Sequence, residues 1–311
     1  MDKALKILIT GGTGMVGTAF NNLTIEHELI LVGSSDYDLR SDHCTQEMMK
    51  DISPDAIIHL AARVGGVKGN SDFIADFFHE NIIINTNLLS IAQRNNIPKV
   101  LSLLSTCVYP DNCTYPLTEE QIHNGSPHQS NFGYAYAKRM LEVHSRAIRS
   151  QYGLKYITAV PNNIYGPKDN FDLENSHVIP AMIRKFYEAK EVGTDVVLWG
   201  SGQSLREFTH SIDIAKALIF LLENYEDQSP INIGTTREIS IKKVSEIISK
   251  EIGFTGDVMW DTSKPEGQLK KPSSNKKFLD MCPNFCYTEL ECGLKDTISW
   301  FKNNYPHVRG L

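Results

Sequence analysis

No run in this 311-residue chain approaches the roughly 18 apolar residues that a membrane-crossing helix needs, and the most apolar helical piece, residues 217–222, is far too short. Positive charge is not in excess either. Thirty-one Lys and Arg against 37 Asp and Glu leave a net charge of −6, so nothing recommends a nucleic acid or a membrane as partner, although a few local cations could still bind an anionic small molecule. Met1-Asp2-Lys3 leads straight into a strand-like run, without the basic region, apolar stretch and small-residue cleavage site of a signal peptide. Cysteine is scarce: the six thiols, at positions 44, 107, 113, 282, 286 and 292, are expected to be reduced in a cytoplasmic protein. Cys282 and Cys286 enclose Pro283 and no Cys/His pair of matching spacing follows, so no metal site is expected. Internal repeats and low-complexity segments are missing too. With 41% hydrophobic and 22% charged residues, the chain lies outside the disordered class and is long enough for one large or two modest domains.

What is present begins with residues 5–10 (Leu-Lys-Ile-Leu-Ile-Thr), a short buried strand, followed at once by Gly11-Gly12-Thr13-Gly14-Met15-Val16-Gly17 and a helix over 18–23. Strand, glycine-rich turn and helix in that order bring backbone amides close to a pyrophosphate, a dinucleotide signal that the glycines alone would not carry. The next strand, 28–32, ends in Gly33-Ser34-Ser35, where an NAD-specific enzyme usually holds the ribose 2′-hydroxyl with a carboxylate. Two hydroxyls stand there instead, with Arg40 as a counter-charge for a 2′-phosphate, which favours NADP; Asp36 keeps NAD in play. Asp38-Leu39 suit the adenine edge or a plain exposed loop equally.

A third strand, 56–60, ends in Ala61-Ala62, small enough for a cofactor to lie against the sheet edge. A glycine-rich loop over 63–69, a long helix over 72–94 and a fourth strand over 99–104 follow. The repeated strand-helix order predicts an α/β protein with a Rossmann-type doubly wound parallel sheet, whose functional residues gather beyond the carboxyl ends of the strands.

Ser105-Thr106-Cys107-Val108-Tyr109-Pro110 leaves the fourth strand at that end, and Tyr134-Ala135-Tyr136-Ala137-Lys138 answers it. Tyr134 and Lys138 are four apart and share a helix face, so the ammonium is expected to pull the phenol down from its ordinary value near roughly 10. Tyr134 then becomes a proton donor to a ketone oxygen, and Ser105 can hydrogen-bond the same oxygen. Alone, this pair could as well be a surface tyrosine stacked on a lysine stem. Its convergence with the glycine turn and Ala61-Ala62 at the strand ends makes catalysis the better reading.

A further strand, 156–160, stops at Pro161-Asn162-Asn163-Ile164-Tyr165-Gly166-Pro167, and polar, non-periodic residues 168–177 leave the first domain. Beyond lie a helix over 178–190, a strand over 196–199, a loop over 200–210, a helix over 211–222 returning towards the sheet and a strand over 231–233. The remainder alternates a helix over 240–251, a strand over 258–260 and a last helix over 288–303. Two domains are expected: 1–165, a cofactor-binding Rossmann domain to which 207–236 returns, and 166–311, a smaller substrate-binding α/β domain.

Taken together, Ala61-Ala62-Arg63-Val64-Gly65-Gly66, Ser105-Thr106-Cys107-Val108-Tyr109-Pro110, Asn131-Phe132-Gly133-Tyr134 with Lys138, the run from Asn163 through Asn175-Ser176-His177-Val178-Ile179-Pro180, and Trp199-Gly200-Ser201-Gly202 resemble the extended short-chain dehydrogenase/reductase superfamily. The likeness runs over residues 5–300 and is closest to its members that epimerise GDP-4-keto-6-deoxy-D-mannose at C3 and C5 and reduce it at C4 with NADPH. The resemblance implies Ser105, Tyr134 and Lys138 as the reductase triad and Cys107 and His177 as the epimerising pair. It implies NADP contacts from Gly11, Thr13, Gly14, Met15, Val16, Gly17, Ser34, Ser35, Asp38, Leu39, Ala61, Ala62, Leu103, Lys138, Pro161, Asn163, Ile164 and His177. For the GDP-sugar it implies Asn163, Lys185, Trp199, Arg206, Glu266 and Lys271, and it implies a cytoplasmic homodimer.

Two positions depart from the pattern: Asn162 replaces the usual Thr and Glu266 the common Asp, which bears on substrate choice rather than reaction type. A reductase for another GDP-4-keto-sugar, a heptose or a dideoxy sugar, would carry the same triad. A non-catalytic NADP sensor would usually have lost the Tyr or the Lys.

Overall fold

The computed structural model describes residues 4–264 and 268–311. In chain order the elements are β1 (Lys6–Thr10), α1 (Met15–Ala19), β2 (Glu28–Val32), α2 (Asp42–Ile52), β3 (Ala56–His59), α3 (Val67–Asp72), α4 (Ile74–Arg94), β4 (Lys99–Leu103), α5 (Phe132–Tyr152), β5 (Lys155–Val160) and β6 (Asn163–Tyr165). They continue as α6 (Val178–Val192), β7 (Val196–Trp199), β8 (Leu205–His210), α7 (Ser211–Asn224), β9 (Ile231–Asn232), β10 (Glu238–Ser240), α8 (Ile241–Ile252), β11 (Val258–Asp261), α9 (Lys276–Met281) and α10 (Leu290–Asn304).

Six strands form one sheet in the order β2-β1-β3-β4-β5-β9, every neighbouring pair parallel. The order runs outward from β1 in one direction and from β3 in the other, so a crevice opens beyond their carboxyl ends. This is the expected Rossmann-type doubly wound sheet, and the side-chain alternation shows why it forms. Ile7 and Ile9 of β1, Ile58 of β3 and Leu101 of β4 face one layer, with Phe20, Leu218 and Leu221. Leu8, Ile57 and Val100 face the other, with Met48, Leu88 and Leu141. Strands buried on both faces read as apolar runs, and each such side chain contributes roughly 1.5–3 kcal/mol. The strand ends that carry the site therefore rest on a rigid base.

A three-stranded sheet in the order β10-β8-β6 and the parallel pair β7 and β11 stand beside it. They share a third core that includes Phe171, Phe186, Phe208, Ile248 and Phe301. Between β5 and β6 the chain has only Pro161 and Asn162, and it comes back to the first sheet from β8 through α7 to β9. Pro161 and Asn162 lie at the crevice.

Several boundaries differ from those expected. Residues 42–52, unassigned from sequence, form α2, started by Ser41, whose Oγ accepts from the Cys44 N–H at 3.2 Å. The helix expected over 72–94 is α4, and α3 starts within the stretch 63–69 expected as a loop; the two are separated at Phe73, whose backbone (φ −124°, ψ 41°) leaves the helical region and whose ring lies 5.8 Å from the Arg63 guanidinium. The helix expected over 18–23 starts earlier, at Met15, and tightens into a 3₁₀ turn at Phe20–Asn22. Residues 163–165 and 205–210, expected as turn and loop, are β6 and β8, and each is the other's partner from Asn163↔Phe208 to Tyr165↔His210. A pairing between segments so far apart leaves no local periodicity to read. Among the described residues no helix is long and apolar enough to cross a membrane.

Candidate active site

A cleft of about 710 Å³ opens at the carboxyl ends of β1, β3 and β4. The glycine turn forms its floor. Gly11 has φ +69°, and a Cβ there would stand 2.8 Å from the Ala61 nitrogen, so only glycine lets β1 and the end of β3 meet this closely. Gly17 packs α1 back onto the turn: a Cβ there would lie 2.5 Å from the Gly11 carbonyl oxygen. Thr13, Gly14, Met15 and Val16 line the cleft between them, and Ala61, Ala62, Leu103, Pro161, Asn163 and Ile164 continue its wall.

At the corner after β2, Ser34, Asp38 and Leu39 line the cleft while Ser35 does not. Asp36 turns back and accepts the Gly33 N–H at 2.7 Å, so its carboxylate is committed to its own turn. Arg40 lines the same corner, its Nε and Nη2 donating to the two Asp38 oxygens at 3.0 and 2.9 Å. This fork holds the Asp38 carboxyl below its ordinary pKa. A corner with the Ser34 hydroxyl and the Arg40 guanidinium on the cleft, and with the Asp36 carboxylate folded into its own turn, fits a 2′-phosphate.

Ser105, Tyr134 and Lys138 meet at the far end of the cleft. Ser105 caps a 3₁₀ turn over Thr106–Val108 and its Oγ accepts from the Cys107 N–H at 3.4 Å. Lys138 is 2% exposed; its Nζ donates to the Leu103 carbonyl at 2.8 Å and lies 5.9 Å from the centre of the Tyr134 ring. Burial pulls the ammonium down to about 8. The expectation that Lys138 pulls the phenol down is not met. Burial drives the Tyr134 pKa upward, and negative charge on Cys107 adds to the rise. An ammonium that is itself destabilised by burial, set over the ring rather than on the hydroxyl, does not offset that. The phenol therefore stays protonated, which is the form a proton donor needs.

Cys107 is buried behind Ser105 and does not line the cleft wall. Burial pushes its thiol up, while the Ser105 contact and the charges of Lys271, Lys138 and Arg139 pull it down. His177, the residue before α6, reaches the opposite wall, open to the solvent-filled cleft yet crowded by protein on its other sides. That crowding lowers its pKa, and the charge of Arg309 lowers it further.

The residues expected to hold the rest of the substrate are not in this cleft, Asn163 apart. The Lys185 Nζ donates to the Val197 carbonyl at 2.9 Å, and the ring of Trp199, 49% exposed, has the Lys264 Nζ 5.8 Å from its centre. Arg206, on β8, donates through Nη1 to the Leu205 carbonyl at 2.7 Å. Lys271 is held below its ordinary pKa by burial, and the charges of Cys107, Cys113, Arg206 and Asp111 act on it. Glu266 falls outside the described residues.

Asn162, the departure from the family pattern, has a role that geometry explains. Its Nδ2 donates to Glu207 Oε2 at 3.1 Å and to the Thr235 carbonyl at 2.6 Å, and its Oδ1 accepts from Thr209 at 2.6 Å. Glu207 in turn accepts from the Ser273 N–H at 2.9 Å and the Ser273 hydroxyl at 2.5 Å. This satisfied, buried network ties the cleft wall to the neighbours of Arg206 and Lys271.

Asp169 and Arg309 are among the cleft residues that sequence reasoning misses. Asp169 is 4% exposed, its Oδ2 has no partner among the described residues, and burial raises it to about 7. Arg309 arrives from a distant segment held by the Phe171 N–H on the Arg309 carbonyl at 2.8 Å. Asp169 lies in a non-periodic polar stretch, and Arg309 belongs to no motif.

Beta-strand ends, glycine turn and Ser-Tyr-Lys cluster define a dinucleotide-dependent enzyme of the short-chain dehydrogenase/reductase type. The family described as Epimerase, NAD dependent epimerase/dehydratase family, matches residues 7–234. A GDP-L-fucose synthase of Dictyostelium discoideum is 43% identical over 310 residues, 97% of each chain, and that of Escherichia coli (strain K12) is 35% identical over 98% of this chain and 99% of its own. Among solved structures, a GDP-L-fucose synthetase from Naegleria fowleri bound to NADP superposes with a TM-score of 0.92 at 41% identity, covering 98% of this chain and 94% of that one. A GDP-6-OMe-4-keto-L-xylo-heptose reductase from C. jejuni reaches 0.90 at 28% identity, over 98% and 99% of the two chains. The chain belongs to the NAD dependent epimerase/dehydratase family and, within it, to the GDP-L-fucose synthases.

Proposed function

We infer that the chain converts GDP-4-keto-6-deoxy-D-mannose to GDP-L-fucose, epimerising at C3 and C5 and reducing at C4 with NADPH. The observation that carries this reading is the meeting of Ser105, Tyr134, Lys138 and His177 around one cleft with the Cys107 turn directly behind it. Gly11, Gly14, Gly17 and the Ser34 to Arg40 corner would hold the cofactor, and bound NADPH supplies a hydride to C4. A ketone at C4 acidifies the hydrogens at C3 and C5, so Cys107 and His177 can remove and return protons on opposite faces of the ring. Ser105 and Tyr134 donate to the ketone oxygen as enolate charge and later alkoxide charge grow on it. Tyr134, protonated from the start, gives that oxygen its proton, and Lys138 holds the Leu103 end of the strand beside it.

Residues 1–165 with 207–236 serve the cofactor in this reading, and 166–311 serve the sugar. Arg206 and Lys185 meet the diphosphate, Trp199 supplies apolar contact, and Glu266 and Lys271 join them. A cytoplasmic homodimer is the assembly it implies. The test is to incubate the protein with GDP-4-keto-6-deoxy-D-mannose and NADPH and to identify the sugar by NMR. The expected product has the fucose configuration; the unepimerised alcohol would make the chain a reductase only, and unconsumed NADPH would remove the reading.

A further inference from the structure

Two consecutive cations of α5 grip the two ends of the segment that carries Ser105 and Cys107. Lys138 donates to the Leu103 carbonyl before it at 2.8 Å; Arg139 donates through Nε to the Val108 carbonyl after it at 2.6 Å. Arg139 also reaches the Gly125 carbonyl through Nη1 at 2.6 Å, which pins the following loop against the same turn. The guanidinium is 4% exposed, its Nη2 has no partner among the described residues, and its carbon lies 5.5 Å from the centre of the Tyr136 ring.

A buried guanidinium normally sits on a carboxylate, because carbonyl dipoles alone repay little of its desolvation. Among the described residues no carboxylate bears on Arg139; the ionisable groups whose negative forms act on it are Tyr136 and Cys107. Lys138 has the accepted place in the triad, but nothing in the reaction so far uses Arg139. We propose that Arg139 is a positioning residue for Cys107: it clamps the carbonyl that closes the turn holding the thiol, and its charge adds to those of Lys271 and Lys138 around a thiolate formed there.

The proposal rests on the reading that Cys107 moves protons during epimerisation. A thiolate takes a proton from the carbon next to the ketone and becomes a thiol, while the C–H electron pair moves onto the ketone oxygen; in the reverse sense a thiol gives its proton to that carbon and is left a thiolate. Either direction passes through a buried negative sulfur. The groups facing it are Ser105 on its own turn, Tyr134, Lys138 and Arg139 from α5, and Lys271 from the segment after β11. Of these Arg139 alone also holds the backbone of the turn on the far side of the sulfur.

The experiment alkylates the full chain with iodoacetamide from about pH 6 to about pH 10 and follows the Cys107 peptide by mass spectrometry, so that the other five thiols do not interfere. In parallel, solvent deuterium uptake into GDP-4-keto-6-deoxy-D-mannose is timed without NADPH oxidation as the readout. In Arg139→Met the alkylation midpoint should rise by about one pH unit and deuterium uptake should fall about tenfold or more, with NADPH affinity within about twofold of the parent. Arg139→Lys keeps the charge but loses the fork: its midpoint should stay near the parent's while uptake still falls. A folded Arg139→Met with parental midpoint and parental uptake overturns the proposal. Should Arg139→Met fail to bind NADPH, Arg139→Lys decides, and parental uptake there overturns the clamp. Cys107→Ala separates the two layers: if it still takes up deuterium, the role of Cys107 falls, whereas the alkylation midpoint of Arg139→Met still tests the charge of Arg139 by itself.

Discussion

Within the cleft, Gly11, Ala61 and Leu103 sit at the ends of strands buried on both faces; outside it, Lys185 on α6, Trp199 and Arg206 on short strands and Lys271 on a loop form a second wall, with Trp199 49% exposed. The first wall leaves no room for change. A Cβ at Gly11 meets backbone at 2.8 Å, whereas the second wall presents long side chains that now rest on neighbouring carbonyls. A wall built from backbone is fixed before any ligand arrives; a wall built from mobile cations can be re-aimed at little cost, which is how one scaffold serves different sugars. Asn162 and Glu207 help to bind the two together, through a buried network with Thr209, Thr235 and Ser273.

The sharpest way to break this contrast is Gly11→Ala. It forces a side chain into the left-handed region and against Ala61, so we expect a loss of about 1–3 kcal/mol in stability, read by thermal melting, together with lost NADPH binding. Parental stability there would mean that the backbone wall is softer than its packing implies. On the other wall, Arg206→Ala should leave the melt within about 0.5 kcal/mol and raise KM for the GDP-sugar about 10- to 100-fold, with KM for NADPH little changed. Unchanged sugar KM would remove Arg206 from the site.

A third expectation concerns the seam between the walls. Lys138 is charged below about 8 and neutral above it, since burial depresses its ammonium. The reduction rate should therefore fall by about tenfold as pH rises from near 7 to near 9, and Lys138→Arg, whose guanidinium keeps its proton, should flatten that limb. A profile that keeps the same alkaline limb in Lys138→Arg assigns the titration to another group. The smallest effect is expected at the Arg40 corner. There Arg40→Ala should reduce the preference for NADPH over NADH in kcat/KM by about three- to tenfold, because Arg40 is already shared with Asp38.

The same contrast explains what the sequence discloses. β1, the glycine turn and the Tyr134-Lys138 pair are legible because each is set by neighbours within a few positions: alternation, positive φ, one helix turn. β6 and β8 are not, since they pair with each other across about forty intervening residues, and Arg309 enters the cleft through a backbone contact with Phe171 that no local pattern announces. The phenol of Tyr134 is the instructive miss. Spacing says that a cation is near, but only packing says how deeply both groups are buried, and burial reverses the direction. Asn162 reads as a departure from a family pattern in sequence; in the fold it is the hub of the Glu207 network.

The central claim is that one cleft runs two separable reactions, proton exchange at C3 and C5 by Cys107 and His177, and reduction at C4 through Tyr134. The direct measurement follows deuterium uptake from heavy water beside NADPH consumption, in one tube with GDP-4-keto-6-deoxy-D-mannose. Tyr134→Phe should still take up deuterium while reduction slows by about 10² to 10⁴. Cys107→Ala and His177→Ala should show the opposite pattern, with little uptake, little inversion and at most a slow reduction of the unepimerised ketone. If both of those variants take up deuterium and invert C3 and C5 like the parent, the assignment of epimerisation to this pair is contradicted.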